Sequence, residues 1–421
     1  MRSLTALLTT PLLTAALLAS CGAGPATPAA GAPTTTPTTA PASLTVRLET
    51  LAVTGALNVP GTLRVSGRGP ADLTVTARDA QGAPVSVTLS ASGTDTLIGV
   101  TGTGAARGPV TLSVQAGAAR ASVTLPLLRA GAAPIMGGTY QAGGAVPWQG
   151  GVLLRAVANA GADARHALMG SAGAEVTALP FPVTGLDTLT GHAVAPDGSV
   201  WVAVRGATAA GSELIRRAPD GTLTRVPAGT TETLSSLGVT PDGRVWAVVY
   251  GQARLLSAAP DGTRGELPLG SVPDALTVGA DGALLLTRRG DSPAVLRVDP
   301  ASGAVRTYPV GTPGVSVPAA PTPAPDGTLL FTETRAGGAW RLDPRSGTQV
   351  ALPLPAGVRA GALAAAPDGS VWVSDPSAGT LLRVADGVAA QVTLGGAARA
   401  LTVTPDGRVW FELGGQLITL N

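Results

Sequence analysis

Apolar and polar residues alternate in short runs along most of this chain, from residue 44 to the C-terminus. The runs at 44–48, 73–77, 110–114 and 121–125 are examples, and clusters of Gly, Pro and Asp separate one run from the next. Alternation with a period of two predicts strands with one buried face. The sequence is therefore predicted to be all-β.

Some of these runs belong to a longer pattern that recurs six times. An apolar run leads into Asp-Gly, and a second apolar run follows, which contains Trp in four copies. The Asp residues of the six copies are Asp197, Asp242, Asp281, Asp326, Asp368 and Asp406. They follow one another at intervals of 38 to 45 residues, which is the length of one four-stranded β-propeller blade.

A degenerate seventh copy lies at 146–153, so residues 134–421 are predicted to form a seven-bladed β-propeller, with six or eight blades as the alternatives. The last copy stops at 417–420 without an outer strand. We expect residues 134–142 to supply that strand and to close the ring, because closure removes free sheet edges.

Within each copy, Asp and Gly are predicted to shape the turn, and Trp is predicted to fill the core. An Asp side chain accepts backbone hydrogen bonds in such a turn, and Gly adopts the positive φ that a tight hairpin needs. The four Trp residues, each four positions after Asp, are Trp201, Trp246, Trp372 and Trp410. Leu285 and Leu330 take the same position in two other copies, which indicates packing between blades rather than a site.

Residues 43–130 precede the repeats and have a different turn spacing. About seven short strands in this length are typical of a small immunoglobulin-like β-sandwich. The Cys and Trp residues of antibody domains are absent from the segment. In pattern it resembles the immunoglobulin-like spacers of bacterial surface proteins.

The N-terminus is predicted to be an export signal followed by a lipid anchor. Residues 1–20 combine a positive start, an apolar stretch and small residues before Cys21, the single cysteine of the chain. The sequence Leu18-Ala19-Ser20-Cys21 resembles the lipobox of bacterial lipoproteins, which implies lipidation of Cys21. Residues 21–42 are rich in Pro, Thr and Ala and are predicted to be an extended tether. We therefore expect an extracytoplasmic protein that is anchored to a bacterial membrane by its lipid.

The charge of the chain gives little support for nucleic-acid binding. The formal net charge is +2, and no run of Arg residues with interleaved aromatics occurs, so no nucleic-acid partner is predicted.

The repeats resemble those of the streptogramin lyase (virginiamycin B lyase) propellers, and more generally NHL-type propellers. The resemblance rests on Pro-Asp-Gly followed by an apolar pair, as at 325–333, and on Leu-Arg-Val-Asp-Pro-Ala-Ser-Gly at 296–303. It implies a metal-assisted elimination by His and Glu near the central channel, with Mg²⁺ or Ca²⁺ on the axis. The catalytic candidates in this chain are His192, Glu333 and Asp375.

A lactonase-type propeller is a second enzymatic possibility, with oxygen ligands around an axial Ca²⁺. The acids that could approach one end of the channel are Asp187, Glu232, Asp274, Glu333 and Asp375. Arg residues at neighbouring positions oppose a cation: Arg205, Arg288, Arg289, Arg335, Arg359 and Arg399. Such a mixed rim favours a polar binding surface, and no metal site is predicted.

The main prediction is a non-catalytic binding or scaffolding role at the cell envelope. The predicted ligand-binding residues are Arg205, Arg288, Arg335 and Arg399, and the partner is an unknown envelope protein, glycan or anionic small molecule. The alternative is a metal-dependent lyase-like or lactonase-like enzyme that acts at the channel. A third possibility is a structural envelope protein without a small ligand.

Overall fold

Strands provide the regular structure of the described part of the chain, apart from one 3₁₀ turn at Pro70–Asp72. The computed structural model describes residues 44–51, 61–79, 81–100, 110–125, 130–134, 140–158, 166–171, 176–181, 188–206, 211–311, 318–333, 335 and 337–420. The predicted signal (1–20) and tether (21–42), with Cys21, lie outside these residues. No helix within the described ranges is long and apolar enough to cross a membrane.

The first eight strands form two antiparallel sheets. Their bounds are β1 (Val46–Leu51), β2 (Gly61–Val65), β3 (Thr74–Arg78), β4 (Pro84–Val85), β5 (Val87–Ser92), β6 (Asp95–Val100), β7 (Val110–Ala116) and β8 (Ala119–Leu125). The sheet orders are β1-β2-β6-β5 and β4-β3-β7-β8. Leu63 and Ile98 of the first sheet share one buried cluster with Leu112 and Leu125 of the second. The two sheets therefore pack as a sandwich, and their strand order matches that of immunoglobulin domains with one added strand.

The remaining strands form seven four-stranded antiparallel sheets within the described residues. Their bounds are β9 (Ala130–Pro134), β10 (Tyr140–Trp148), β11 (Gly151–Ala158), β12 (His166–Ser171), β13 (Thr177–Leu179), β14 (Thr188–Val194), β15 (Val200–Arg205), β16 (Ser212–Arg217), β17 (Leu223–Pro227), β18 (Leu234–Val239), β19 (Val245–Val249), β20 (Arg254–Ala258), β21 (Arg264–Pro268), β22 (Ala275–Val278), β23 (Leu284–Arg288), β24 (Ala294–Val298), β25 (Val305–Pro309), β26 (Pro318–Pro323), β27 (Leu329–Glu333), β28 (Gly338–Leu342), β29 (Gln349–Ala351), β30 (Leu363–Ala365), β31 (Val371–Asp375), β32 (Thr380–Ala385), β33 (Val388–Thr393), β34 (Arg399–Val403), β35 (Val409–Leu413) and β36 (Gln416–Leu420). Six sheets contain consecutive strands, from β10–β13 to β30–β33, and the seventh has the order β34-β35-β36-β9.

The first strands of the seven sheets form a closed ring. Each contacts the first strand of the next sheet, and β34 contacts β10. A closed ring of four-stranded sheets is a β-propeller. The fold that the repeats predict is therefore present.

The strand that completes the seventh sheet differs from the predicted one. We expected residues 134–142 to supply it, but β9 (Ala130–Pro134) pairs with β36, with Leu420 opposite Ala130 and Gln416 opposite Pro134. Residues 140–148 instead form the inner strand of the first sheet. The reason is geometric, because the chain needs a connection to pass from the outer edge of one sheet to the inner edge of the next. The propeller sheets thus begin at Ala130, a residue assigned above to the sandwich.

The six Asp-Gly turns have nearly identical geometry. Their Gly residues have φ between 80° and 84°, a conformation that side chains of L-residues disfavour. The Asp carboxylate accepts the backbone N–H two residues later, at 2.9 Å from Ser199, 2.9 Å from Thr328 and 3.0 Å from Ser370, for example. These turns therefore have the structural role that the pattern predicts.

The recurring Trp side chains lie between neighbouring sheets. Trp201 is fully buried and shares a cluster with Leu234 and Val245 of the next sheet. Trp246 is 5% exposed and packs in the same way against Leu276 of the sheet that follows it. The hydrophobic core of the propeller therefore lies between blades, as the interchange of Trp and Leu predicts.

Candidate functional site

The propeller has two chemically different ends. Because successive strands are antiparallel, the Asp-Gly turns all lie at one end, which we call the turn face. The links between second and third strands, and the links between sheets, lie at the other end, which we call the loop face. Each predicted site residue of the propeller lies nearer to one of these two faces.

All four predicted ligand-binding arginines lie at the loop face. Arg205 and Arg288 end the second strands β15 and β23, Arg335 lies in the link that follows β27, and Arg399 begins the inner strand β34. Three of them are exposed, and Arg288 is partly buried. The guanidinium of Arg288 donates to the Ser292 carbonyl at 2.8 Å and to the Ser271 hydroxyl at 3.2 Å. The loop face thus presents cationic groups from four different blades.

Asp375, a predicted catalytic residue, is also at the loop face but is occupied by its surroundings. It is 2% exposed, and it accepts the backbone N–H groups of Arg359 at 3.1 Å, Ser377 at 3.0 Å and Ala378 at 3.1 Å. The Ser377 hydroxyl donates to it at 2.6 Å. Burial by itself would raise the pKa of Asp375, but the hydrogen bonds from Ser377 and these amides hold the pKa below its usual value. The carboxylate therefore joins two links of the loop face.

Glu333 and Glu412 are in similar positions. Glu333 is 6% exposed and accepts the backbone N–H of Arg335 at 3.3 Å. Glu412 is 2% exposed and accepts the backbone N–H of Gly415 at 2.7 Å. These acids therefore stabilise the links that follow their strands. Arg205, Arg335 and Arg399, at the same face, are exposed.

His192, the third catalytic candidate, lies in the inner strand β14 and faces the first sheet. A Cβ atom added to Gly144 would lie 3.4 Å from its Cε1 atom. The ring as a whole is half-buried, but its Nε2 atom is enclosed and has no hydrogen-bond partner among the described residues. Burial, helped by the charge of Arg155, lowers the pKa of His192 to about 4, although a backbone hydrogen bond at Leu153 opposes this shift. His192 is therefore neutral at pH 7.

The position of His192 in its sheet explains this enclosure. It stands five residues before the turn Asp, and the corresponding residues of four other sheets are Leu237, Leu276, Leu363 and Leu401. Three of these leucines are buried in the cores between blades, and Leu237 packs against one. His192 thus occupies a packing position of the repeat, and the second histidine, His166, has no described side chain.

The acids considered for an axial metal are not gathered at one point within the described residues. No three His, Cys, Asp or Glu side chains converge as metal ligands within the described part of the chain. Of the acids considered above for Ca²⁺, Asp187 lies outside the described residues, and Asp274 pairs with the guanidinium of Arg289, whose Nε lies 2.6 Å away.

Tyr250 is a loop-face residue that the sequence reasoning missed. It follows the second strand β19 and is 65% exposed, the largest exposure among the aromatic residues described. One signal was available, because the chain has only three Tyr residues and this one directly follows a fully apolar strand.

Comparisons with known proteins agree with this architecture. The model of the virginiamycin B lyase family matches residues 178–419, which is more than half of the chain. None of the curated proteins matches the chain significantly.

Three solved structures share the fold. A streptogramin B lyase is 20% identical, with 68% of this chain and 93% of that chain covered and a TM-score of 0.56. A catalytically inactive histidine-to-alanine variant of virginiamycin B lyase from Staphylococcus aureus, solved with quinupristin, is 19% identical, with 70% and 99% covered and a TM-score of 0.58. YCF48 bound to D1 peptide is 15% identical, with 69% and 94% covered and a TM-score of 0.53. On the match of the family model, the chain belongs to the virginiamycin B lyase family.

Proposed function

We propose that this protein is a lipid-anchored envelope protein whose propeller binds an anionic partner without catalysis. The binding surface is the loop face, with Arg205, Arg288, Arg335 and Arg399 as its principal contacts. The observation that carries the proposal is the difference in exposure at this face, where Arg205, Arg335 and Arg399 are exposed while Glu333, Asp375 and Glu412 are buried.

Arginine is well suited to such a surface. Its planar guanidinium binds carboxylate or phosphate groups through paired hydrogen bonds and does not lose its charge. Asp375 and Glu412 are at least 98% buried and accept backbone N–H groups, so they oppose an approaching anion less than exposed carboxylates would. Arg288 is already held by Ser271 and Ser292, which lowers the entropy cost of ordering it on binding.

The enzymatic alternative requires a base that can reach the substrate. The inactive lyase variant mentioned above lacks a histidine, and His192 is the one histidine of this chain whose side chain is described. A general base must come within hydrogen-bond reach of the proton that it removes. The enclosed Nε2 of His192 and the occupied carboxylate of Asp375 support a binding role instead.

A pull-down from envelope extract tests the binding role. The bait is the full mature chain, compared with a variant in which Arg205, Arg288, Arg335 and Arg399 are changed to Gln. A matched control changes four arginines away from the loop face, namely Arg120, Arg217, Arg225 and Arg345. We expect a partner that the wild type and the control retain, that the loop-face variant loses, and that elutes with salt. Equal loss from both variants would contradict the proposal.

An activity assay tests the alternative directly. We expect no turnover when the protein is incubated with quinupristin in the presence of Mg²⁺ and Ca²⁺. Turnover that both EDTA and His192→Ala abolish would establish the lyase function and overturn the non-catalytic proposal.

The anchor is tested separately. Metabolic labelling with palmitate should label the wild-type chain, and Cys21→Ser should abolish the label and release the protein from the membrane fraction. An unlabelled wild-type chain would refute lipidation without affecting the binding proposal.

A further inference from the structure

The Asp residue of each Asp-Gly turn has a carboxylate that can pair with an arginine on the turn face. Five of the six turns form this ion pair: Asp197–Arg216 at 2.7 Å, Asp281–Arg297 at 2.7 Å, Asp326–Arg341 at 3.1 Å, Asp368–Arg383 at 2.7 Å and Asp406–Arg408 at 2.6 Å. The sixth, Asp242, forms no ion pair within the described residues. The third sheet of the propeller therefore lacks the ion pair that the other five Asp-Gly turns form.

The origin of the exception can be followed through the repeats. In four sheets the arginine belongs to the third strand, opposite the Trp or Leu of the second strand. The third and seventh sheets have Ser257 and Thr419 at this place and instead have an arginine directly after the turn Gly. These arginines are Arg244 and Arg408, and Arg408 forms the ion pair while Arg244 does not.

The polar groups of the third turn are therefore left largely open. Arg244 donates from Nη1 to the Ser257 hydroxyl at 3.2 Å, which is the one described hydrogen bond of its guanidinium. Asp242 uses Oδ1 to accept the Thr240 hydroxyl at 2.6 Å and the Arg244 backbone N–H at 3.2 Å. Its Oδ2 accepts no described hydrogen bond. A carboxylate oxygen and most of a guanidinium are thus available within one turn.

A cavity of ≈ 680 Å³ opens beside these groups, between the third and fourth sheets. Trp246 and Ser257 line it, and Gly265 contributes no side chain where a Cβ atom would lie 2.8 Å from the Ser257 Oγ. Ser257 and Gly265 leave room for the cavity because they are small, whereas four other sheets have an arginine at the place of Ser257. Its size lies within the range of small-molecule sites.

At two other junctions between sheets, the arginine of the turn crosses to the next sheet. Arg341 donates to the Gly369 carbonyl at 3.4 Å, and Arg408 donates to the Gly150 carbonyl at 2.6 Å. Arg244 makes no such contact with the corresponding Gly282. The space that an arginine crosses elsewhere is therefore open here.

The remaining charges of the cavity are already compensated. Arg297 pairs with Asp281, Glu266 pairs with Arg254, and Asp299 accepts the backbone N–H of Ala301. A free anion would lie close to the Asp242 carboxylate, and a free cation would lie close to the Arg244 guanidinium, and neither group has an ion-pair partner among the described residues. A neutral ligand with adjacent hydroxyl groups avoids both penalties, because one hydroxyl can accept from a guanidinium while the next donates to a carboxylate.

We propose that this cavity is a saccharide-binding site, in which neighbouring hydroxyls of one sugar bind Arg244 and the Oδ2 atom of Asp242. The Ser257 hydroxyl supplies a third polar contact, and Trp246 forms part of the apolar wall. The site lies on the turn face and is independent of the arginine surface proposed above.

Saturation-transfer NMR and calorimetry with the full mature chain test the proposal. The probes are maltose, cellobiose and N,N′-diacetylchitobiose, with acetate and inorganic phosphate as anionic comparisons. We expect at least one disaccharide to bind and Arg244→Gln to weaken it by about tenfold or more, because hydrogen bonds to a charged group are lost. The matched control Arg408→Gln should leave the affinity unchanged.

A second variant protects the test against a folding artefact. Ser257→Arg introduces the third-strand arginine of the other sheets, so it should keep the fold, as judged by circular dichroism, and abolish disaccharide binding by filling the cavity. The proposal is overturned if no disaccharide binds, if Ser257→Arg leaves binding intact, or if only the anions bind in an Arg244-dependent way.

Discussion

Residues 240–246 and 404–410 have the same sequence, Thr-Pro-Asp-Gly-Arg-Val-Trp, but their arginines have different partners. The backbones agree closely, since the Gly φ angles are 82° and 84° and the Thr hydroxyl lies 2.6 Å from the Asp carboxylate in both. Arg408 pairs with Asp406, reaches the Gly150 carbonyl and lies 5.6 Å from the centre of the Trp410 ring. Among the described residues, the Arg244 guanidinium donates only to the Ser257 hydroxyl.

The difference teaches which features of a repeat are local. Thr, Asp and Gly determine the turn through contacts within five residues, so the turn recurs wherever they recur. The arginine side chain is long enough to contact the third strand or the next sheet. Its partner therefore depends on residues outside the seven-residue segment. Identical segments can therefore link two sheets at one place in the propeller and line an open cavity at another.

The largest effect is expected from removal of the Trp in each segment. Trp246→Ala and Trp410→Ala should each lower the free energy of unfolding by about 3–5 kcal/mol, because both rings are buried. Trp410→Ala should cost about 0.5–1 kcal/mol more, since Arg408 also loses its position over the ring. Urea unfolding followed by circular dichroism measures both values, and a greater loss in Trp246→Ala would contradict the comparison.

Removal of the arginines tests the comparison directly. Arg408→Ala should destabilise the protein by about 1–2 kcal/mol, because its hydrogen bond to the Gly150 carbonyl and its contact with the Trp410 ring are lost together with the exposed ion pair. Arg244→Ala should change stability by about 0.5 kcal/mol or less, as is usual for a surface residue with few contacts. The same urea experiment applies, and equal losses would show that the two arginines do not differ in role.

The pH dependence should distinguish the paired arginine from the unpaired one. Burial of Asp406 opposes ionisation, but the hydrogen bonds from Thr404 and Arg408 hold its pKa below 3.8. A depressed carboxyl pKa stabilises the folded state above the unfolded pKa, and this stabilisation is lost as the pH falls through the folded pKa. The deficit of Arg408→Ala relative to wild type should therefore be full at pH 7 and shrink below about pH 4.

For Arg244→Ala the difference from wild type should vary less over the same range, because the Thr240 hydroxyl is the main cause of the lowered pKa of Asp242 and the Arg244 side chain adds only its charge. Unfolding midpoints of the two variants and the wild type at a series of pH values make this test. A deficit of Arg408→Ala that stays constant below pH 4 would contradict a role for the ion pair with Asp406.

The smallest effect on stability is expected when the arginine of the third sheet is moved from the position after the turn Gly to the third strand. The double variant Arg244→Ser with Ser257→Arg gives the third sheet the residues of the second, where Ser199 and Arg216 stand at these places. Its stability should remain within about 0.5 kcal/mol of wild type, since an exposed ion pair contributes little. A stability loss well beyond this value, measured by urea unfolding, would show that the cavity is needed for packing.

Much of the fold could be predicted from the sequence because its determinants are short. The Asp-Gly turns and the Trp positions recur at intervals that only a blade explains. The closing strand Ala130–Pro134 could not be found in this way, since Ala-Gly-Ala-Ala-Pro lacks both alternation and β-branched residues. Its place is determined by pairing with β36 at the other end of the chain.

The positions of the candidate residues in the fold were predictable, but their contacts were not. Glu333 and Asp375 each end a predicted second strand, so the sequence placed them at the same end of the propeller as the arginines. The structure has them there. The sequence did not reveal that Asp375 accepts three backbone N–H groups, because these come from a link between sheets and from the following turn. Nor could it reveal that His192 faces Gly144 of another sheet.

The way in which β9 completes the seventh sheet sets an order of events in folding. Synthesis delivers Ala130–Pro134 before any other strand of the propeller, yet its partner Gln416–Leu420 is made last. The early strand must therefore wait unpaired until β36 has been synthesised. Pairing between distant segments is slow, and exposed edges favour aggregation while it is incomplete. Loss of Gln416–Leu420 would thus leave both β35 and β9 of the seventh sheet without a partner strand.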